Sequence, residues 1–351
     1  MSAEAVGINA SAESQAELHA MLRFAVGVTA AFVVCEYLQW MPTFLAPVLA
    51  AALLANLPMR PPLKMTLGLI VTMAVAALFS FALASLFRGT PFVLFGTISL
   101  CMLLSFNGML TGRPRLPLLL LLICLSTIPV VVMVAPVLAG AFAMVMIRSI
   151  SLALLVIWAV HLIWPRVPTP SQAAAPVPGP VTPVAIALLA TAVVVPLMLF
   201  YLLFGLADAL PVMVATVMLV ANFDVQRSRL HALGMIVGNF AGGLLGLIMH
   251  MLLLTTPNLA FLALLLFLVL IGFARRIVAG GPSAGIALLT CNAMLIILSL
   301  AIASGPGSLS IWLTRLFQFV IAGAFAVGTM SLLWHRAAAP LRPTSTGSAT
   351  R

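Results

Sequence analysis

Long apolar runs, separated by short segments that contain Pro, Gly and Arg, make up almost the whole chain. Only 6% of its 351 residues are charged, whereas charged residues make up about a quarter of a soluble globular domain. A disordered chain is excluded too, because disorder requires low hydrophobicity and 64% of this chain is apolar. Since one membrane helix needs about 20 apolar residues, the sequence predicts an all-α polytopic membrane protein with about 12 transmembrane helices.

The apolar runs fall into two series of six predicted spans. In each series the second span is short for a full crossing, so these two spans are expected to be tilted, broken or re-entrant. A Pro- and Ala-rich segment between the series has the composition of a semi-rigid, solvated linker. The predicted spans are residues 21–40, 43–57, 62–87, 91–110, 115–134, 137–164, 182–206, 209–223, 228–254, 258–279, 283–303 and 308–335.

The two series resemble each other at a nearly constant offset along the chain. Leu53–Asn56 matches Leu219–Asn222, and Arg148 matches Arg315. Because six is an even number of crossings, the copies insert in the same orientation and form two parallel six-helix repeats, a common transporter plan. The predicted domains are a cytoplasmic N-terminal tail (1–20), a first transmembrane repeat (21–164), a Pro/Ala-rich cytoplasmic linker (165–181), a second transmembrane repeat (182–336) and a cytoplasmic C-terminal tail (337–351).

The net charge of +10 is an orientation signal. When the segments between spans are sorted by side, every basic residue except Arg88, Arg148 and Arg315 falls on one side. By the positive-inside rule this side is the cytoplasm, where both termini are therefore expected. Since the charges are spread over small loops and form no single basic surface, nucleic acid is not an expected partner.

Small residues form a stripe on two matching spans. Glycines recur at every fourth residue of the ninth span, and the third span carries small residues at the corresponding positions. Such a stripe lets another backbone come close, and it serves either as a sliding surface or as tight static packing. The residues assigned to helix packing are Gly68, Gly234, Gly238, Gly242 and Gly246.

Arg148 and Arg315 lie inside the sixth span of each half. An arginine at a helix centre costs about 2.5–3.5 kcal/mol on insertion scales, so such a residue usually faces a cavity or a partner. A guanidinium binds carboxylates bidentately and keeps its charge at any relevant pH. The pair therefore predicts a binding site for an organic anion, and the alternative is a structural ion pair with Glu36 or Asp208.

Five further polar residues are candidates for the transport path. Glu36 and Asp208 are placed in the same outer half of the membrane as the two arginines, where each is either a proton-coupling group or a plain counter-ion. Asn56 and Asn222 end the short second spans, and Asp224 follows. These three are expected either to line the cytoplasmic mouth, with the two asparagines binding substrate, or to cap helix ends.

Other polar residues in the spans can line a pore or form interhelical hydrogen bonds; they are Asn239, Thr290, Asn292 and Gln318. Aromatic residues near the predicted interfaces have the positions of an ordinary aromatic belt; they are Tyr37, Trp40, Trp164 and Trp334. No enzyme motif, metal-ligand spacing or cofactor fingerprint is present, so neither catalysis, a metal nor a cofactor is expected.

Two local patterns carry a family resemblance. Leu22-Arg23 opens the first span after a short tail, and the segment Asn222–Gly246 contains Arg227-Ser228-Arg229 followed by the glycine stripe. With the six-span repeat, these patterns resemble the fusaric acid resistance and aromatic acid exporter family, of which the plant aluminium-activated malate transporters are a distant branch. The resemblance implies an exporter of aromatic or other organic carboxylates in the bacterial inner membrane, with a periplasmic adaptor protein and a homo-oligomer as expected partners.

Three hypotheses follow for function. The first is a secondary transporter that exports organic anions, aromatic carboxylates in particular. The carboxylate of the substrate binds to the intramembrane arginines. The second is a passive organic-anion channel, which shares the arginines and needs no protonatable coupling residue. The third is a membrane scaffold subunit of an adaptor-linked efflux complex. The major facilitator superfamily also has two six-span halves, but its characteristic basic loop after span 2 does not match Leu57–Lys64.

Overall fold

The computed structural model describes residues 3–57, 59–165, 183–203, 210–221 and 229–305, together with scattered positions between 313 and 329. In this part of the chain the regular secondary structure is entirely helical, with no strand. Eight helices are long and apolar enough to cross a membrane. The chain is therefore a multi-pass membrane protein, because helices satisfy all their backbone hydrogen bonds internally in a solvent that offers none.

The helices follow the predicted spans closely. The predicted span 308–335 falls largely outside the described residues, so the total of twelve and the repeat stay predictions. The helices are α1 (Ala3–Tyr37), α2 (Leu45–Asn56), α3 (Leu63–Leu86), α4 (Pro91–Leu110), α5 (Arg115–Val134), α6 (Pro136–Ile163), α7 (Pro183–Leu203), α8 (Leu210–Ala221), α9 (Arg229–Thr255), α10 (Leu259–Val278) and α11 (Pro282–Ala303).

Local sequence signals explain where these helices begin. Pro91, Pro136 and Pro282 occupy the first helical positions of α4, α6 and α11, where the missing N–H of proline costs nothing. Asn258 caps α10, because its side-chain oxygen accepts a hydrogen bond of 2.9 Å from the backbone N–H of Ala260. The Pro and Asn residues that separate the apolar runs in the sequence therefore determine where these helices begin.

Helix α1 is longer than its apolar part. Its membrane-competent segment is Ser14–Tyr37, but the helix already begins at Ala3. Residues 3–20, expected as an N-terminal tail, are thus the first part of the same helix. The physical reason is that Ala and Glu, which are frequent there, favour helix strongly, whereas a hydropathy pattern detects only the apolar part.

Helices α2 and α8 are much shorter than their neighbours, as the sequence predicts. Each has 12 residues and is therefore about 18 Å long, against about 30 Å for the hydrocarbon core of a bilayer. The residues of α2 from Leu45 to Leu53 are all buried. This short helix is consequently surrounded by the longer ones and meets little lipid.

Basic side chains gather at one end of the helix bundle, which we call the Trp164 end. Arg23 of α1 donates a hydrogen bond of 2.9 Å to the carbonyl of Trp164, just after α6. The guanidinium of Arg60 lies 3.6 Å from the ring centroid of Trp158, and the indole N–H of Trp158 donates to Thr66 in α3 (3.0 Å). Cation–π and carbonyl contacts thus hold these charges beside interfacial tryptophans.

The helices pack in pairs that recur in the two parts of the chain. Helix α3 packs on α5, and α9 packs on α11. Helix α1 packs on α10, and α4 packs on α7. Helix α2 lies against α1, α6 and α11, so it adds to the contacts by which α1–α10 and α4–α7 join the first six helices to the later ones.

The glycine stripe of α9 forms a close backbone contact with α11. A Cβ atom built on Gly246 would lie 2.7 Å from the carbonyl oxygen of Met294, and one built on Gly242 would overlap the carbonyl oxygen of Thr290. At Gly234 and Gly238 the nearest atoms to such a Cβ belong to the side chains of Ile286 and Thr290, at 2.8 and 2.7 Å, so the contact there is close but more adaptable. The stripe is therefore a tightly packed contact. Gly68, by contrast, has nothing within 4 Å of such a Cβ.

The first prediction concerns this contact. Gly242→Ala should destabilise the protein by about 1–3 kcal/mol, because the methyl group forces α9 away from α11. The thermal unfolding midpoint of the purified protein in detergent measures the effect. The matched control is Gly272→Ala in α10, where a Cβ meets nothing within 4 Å. Equal midpoints for the two variants would contradict the packing argument.

Candidate functional site

Arg148 lies near the middle of α6, about 18 Å from its start and about 22 Å from its end. Its guanidinium contacts the turn between α1 and α2. The Cζ atom lies 4.3 Å from the ring centroid of Trp40, and Nη2 donates a hydrogen bond of 3.4 Å to the carbonyl of Met41. The charged group is therefore held by an aromatic face and a backbone dipole.

The end of α1 explains why Trp40 is available for this contact. The N–H of Trp40 donates to the carbonyl of Cys35 (2.8 Å), and the N–H of Gln39 donates to that of Glu36 (3.1 Å). Gln39 has a φ of 53°, so α1 ends in a Schellman motif with glutamine at the left-handed position usually taken by glycine. The motif turns the chain sharply and brings Trp40 back beside α6.

This turn lies beside the middle of α6 and away from both ends of that helix. Arg23 and Glu36 are about 20 Å apart along α1, and Trp164 and Arg148 are about 24 Å apart along α6. Since Arg23 contacts Trp164 at one end, the α1–α2 turn meets α6 at the level of Arg148. Helix α6 continues about 18 Å beyond this level, so the contact is not at a helix end.

Within the described part of the chain, no carboxylate lies within ion-pair distance of Arg148, and its Nε atom is buried without a hydrogen-bond partner. The ion pair with Glu36 that the sequence offered as the structural alternative is not formed. Glu36 is 8% exposed, lies beside the hydroxyl of Thr43 and leaves its Oε1 atom without a partner. A half-buried cation and a buried acid thus lie near the turn, each with unused hydrogen-bonding capacity.

A hydrogen bond ties the same turn to α11. The hydroxyls of Thr43 and Ser299 share a buried hydrogen bond of 2.5 Å. Because α1, α2, α6 and α11 all meet there, the turn is fixed from two sides: by Arg148 on α6 and by Ser299 on α11.

A separate cavity of about 570 Å³ opens near the Trp164 end, between α2, α3, α5, α8 and α11. Its wall is mostly apolar and includes Leu69, Leu119 and Met218. The polar residues of the wall are Asn56, Thr72, Arg115 and Asn292. Its volume lies in the range of about 300–1,000 Å³ that is typical of small-molecule sites.

The polar residues of the cavity differ in their hydrogen bonds. Asn56 donates from Nδ2 to the carbonyl of Ala52 (2.7 Å), so it both caps its helix and lines the cavity. Arg115 donates from Nη2 to the carbonyl of Ala221 at the end of α8 (2.5 Å). Asn292 is 5% exposed, and its Oδ1 atom has no partner.

The predicted site residues are thus only partly brought together. Arg148 and Glu36 meet at the α1–α2 turn, whereas Asn56 lies at the separate cavity. Gly68, expected to pack like the α9 glycines, lines that cavity instead. Arg315, Asp208, Asn222 and Asp224 lie outside the described residues.

Sequence reasoning missed two residues. Trp40 is expected in an aromatic belt but stacks on Arg148, because α1 ends at the depth of that arginine. Arg115 is expected only as an orientation charge but also lines the cavity. Neither contact has a signal in the sequence, because each depends on a helix that is distant along the chain.

Comparison with known proteins gives one match. A protein-family model described as a protein of unknown function, DUF2955, matches residues 20–160. This range runs from α1 into α6 and includes Arg148, Glu36 and Asn56. No curated protein and no solved structure is significantly similar to the chain. The matched description assigns no activity, so the relationship to aromatic acid exporters stays a prediction.

The second prediction tests the link between the turn and α11. In a double-mutant cycle, Thr43→Val and Ser299→Ala should show a coupling energy of about 0.5–1.5 kcal/mol, because each removes one partner of the same hydrogen bond. Unfolding in mixed detergent micelles measures it. Thr97→Val with Ser299→Ala is the control pair, since the Thr97 hydroxyl bonds to Val93 of its own helix; a similar coupling there would refute the assignment.

Proposed function

We propose that the protein is a secondary transporter of organic anions and that Arg148 binds the carboxylate of the substrate. The observation that carries this proposal is a guanidinium in the middle of a membrane helix with no carboxylate partner among the described residues. Among the described residues, its guanidinium contacts the Trp40 ring and the Met41 carbonyl. Both leave N–H donors of the guanidinium for a bound anion.

Energetics support this role. Placing an arginine at this depth costs about 2.5–3.5 kcal/mol on insertion scales, and a carbonyl with one aromatic face offsets only part of that cost. An anionic substrate would complete the site with a bidentate, charge-assisted pair. The Trp40 ring beside the guanidinium also offers an apolar face to an aromatic substrate.

The proposal includes the internal repeat and a second arginine. If α7 is the copy of α1 and α10 is the copy of α4, the packing of α1 on α10 has its counterpart in the packing of α4 on α7. The pairs α3–α5 and α9–α11 correspond in the same way. This reciprocal packing supports two parallel six-helix repeats, in which Arg315 would be the counterpart of Arg148.

Orientation, direction and partners are also part of the proposal. The cluster of Arg23, Arg60 and neighbouring basic residues at the Trp164 end supports a cytoplasmic position of that end. We place the protein in a bacterial inner membrane, with both termini cytoplasmic. Export of carboxylates, a periplasmic adaptor partner and a homo-oligomer follow from the resemblance to aromatic acid exporters.

The third prediction tests Arg148. In proteoliposomes containing the purified protein, Arg148→Gln should reduce uptake of a labelled aromatic carboxylate at least about tenfold, because the charge-assisted pair is lost. Arg148→Lys should retain part of the flux, since it keeps the charge without the bidentate fork. Arg88→Gln, placed beyond the end of α3, is the matched control. Undiminished flux in Arg148→Gln would overturn the proposal, and flux by the wild-type protein alone would exclude the scaffold hypothesis.

The fourth prediction separates a coupled transporter from a channel. Glu36 is buried beside the turn and keeps an unpartnered carboxyl oxygen, which suits a group that takes up and releases a proton. Glu36→Gln should abolish the acceleration of flux by an imposed pH gradient and leave substrate exchange at equilibrium intact. If the wild-type flux ignores the gradient and runs passively, the protein is a channel.

A further inference from the structure

We infer that the cavity at the Trp164 end is a second binding site, for an amphipathic organic carboxylate, which the ligand occupies without touching Arg148. The inference deepens the proposed function, on which it rests for the chemical class of ligand. It adds a site formed by five helices of both parts of the chain, with Arg115 and Asn292 among its polar residues.

The chemistry of the cavity wall selects the ligand. Apolar side chains such as Leu69, Leu119 and Met218 form most of the surface, so the body of the ligand must be apolar. Arg115 brings a permanent positive charge to the wall. An apolar body with one negative group satisfies both features, whereas a sugar or a polycationic ligand satisfies neither.

Asn292 is the second, independent observation that points to a ligand. It lies about 15 Å from the start of α11, is 5% exposed and leaves its Oδ1 atom without a partner. Burying an unsatisfied amide group costs about 1–3 kcal/mol. The Oδ1 atom is a hydrogen-bond acceptor. Since Asn292 also lines the cavity, a ligand that carries an N–H or O–H group on its apolar body can donate the hydrogen bond that the described residues do not.

The cavity is distinct from the Arg148 site. Asn292 and Ser299 lie on the same face of α11, two turns or about 10 Å apart, and Ser299 contacts the α1–α2 turn through Thr43. The buried helix α2 lies between the two places: its first residues adjoin the turn, and Ala52 and Asn56 near its end line the cavity. A small carboxylate in the cavity can therefore contact Arg115 without reaching Arg148.

Gly68 offers a way to fill the cavity without disturbing the fold. It lines the cavity, and a Cβ atom there meets nothing within 4 Å. A phenylalanine at this position should project into the open space. Gly96 in α4 is the matched control, because its Cβ would also meet nothing within 4 Å and it does not line the cavity.

The fifth prediction uses 2-naphthoate, an apolar fluorescent carboxylate, with the full chain in lipid nanodiscs. On an Arg148→Gln background, 2-naphthoate should still bind, as measured by its fluorescence anisotropy. Gly68→Phe should weaken this binding by about tenfold or more, and Gly96→Phe should not.

Arg115→Gln should weaken binding of 2-naphthoate by about tenfold but leave that of the uncharged 2-naphthamide unchanged, because only the carboxylate uses the charge. Asn292→Leu should weaken binding of 2-naphthamide, whose N–H groups can donate to Oδ1, and should leave binding of 2-naphthoate, which has no donor, nearly unchanged.

The outcomes separate this inference from the proposed function. Equal binding by the Gly68→Phe and Gly96→Phe variants, or no binding on the Arg148→Gln background, would overturn the cavity site while leaving transport through Arg148 intact. Conversely, if the Arg148→Gln variant transports normally but Gly68→Phe abolishes 2-naphthoate binding, the proposed role of Arg148 fails and the cavity site stands.

Discussion

The need to satisfy polar groups without water governs this structure. Many hydroxyls in the described helices form hydrogen bonds within their own helix. Ser105, Thr127 and Thr191 each donate to a carbonyl of their own helix, at 2.7–2.8 Å. Arg148 and Asn292 cannot do so, because a guanidinium and an amide have more hydrogen-bonding groups than one helix turn can serve. Both keep a buried atom without a partner. Among the buried polar atoms that have no partner in the described part of the chain, those of Arg148 and Asn292 lie at the two places proposed to bind a ligand.

Much of the fold could be predicted because the length of an apolar run and the residues at its ends are enough to define a membrane helix. Apolar length and breakers such as Pro91 and Pro136 are local features, so the bounds of α4 and α5 agree with the predicted spans. The short α2 was predicted for the same reason. The start of α1 at Ala3 was not predicted, because helix propensity in a polar segment leaves no hydropathy signal.

The site was less predictable because it depends on contacts between distant residues. Position inside a span was enough to select Arg148, but its contact with Trp40 follows from the depth at which α1 ends, which hydropathy cannot show. Repeat matching gave Gly68 the role of Gly234, yet Gly68 borders open space while Gly234 packs against Ile286. Matching the two halves of the sequence predicts a residue's position on its own helix. The contacts of that residue depend on the helix packed against it, which the sequence match does not show.

The short helix α2 connects these observations. A full-length helix would carry its preceding turn to the membrane surface, far from Arg148. With 12 residues, α2 instead keeps the turn at the level of the arginine, and its other end borders the cavity. An anion bound beside the turn or in the cavity, as proposed, should stabilise the fold increasingly as its concentration rises above its Kd, because it binds the folded chain only. The same helix borders both places, so a shift of α2 would change the surroundings of Arg148 and of Asn292 together.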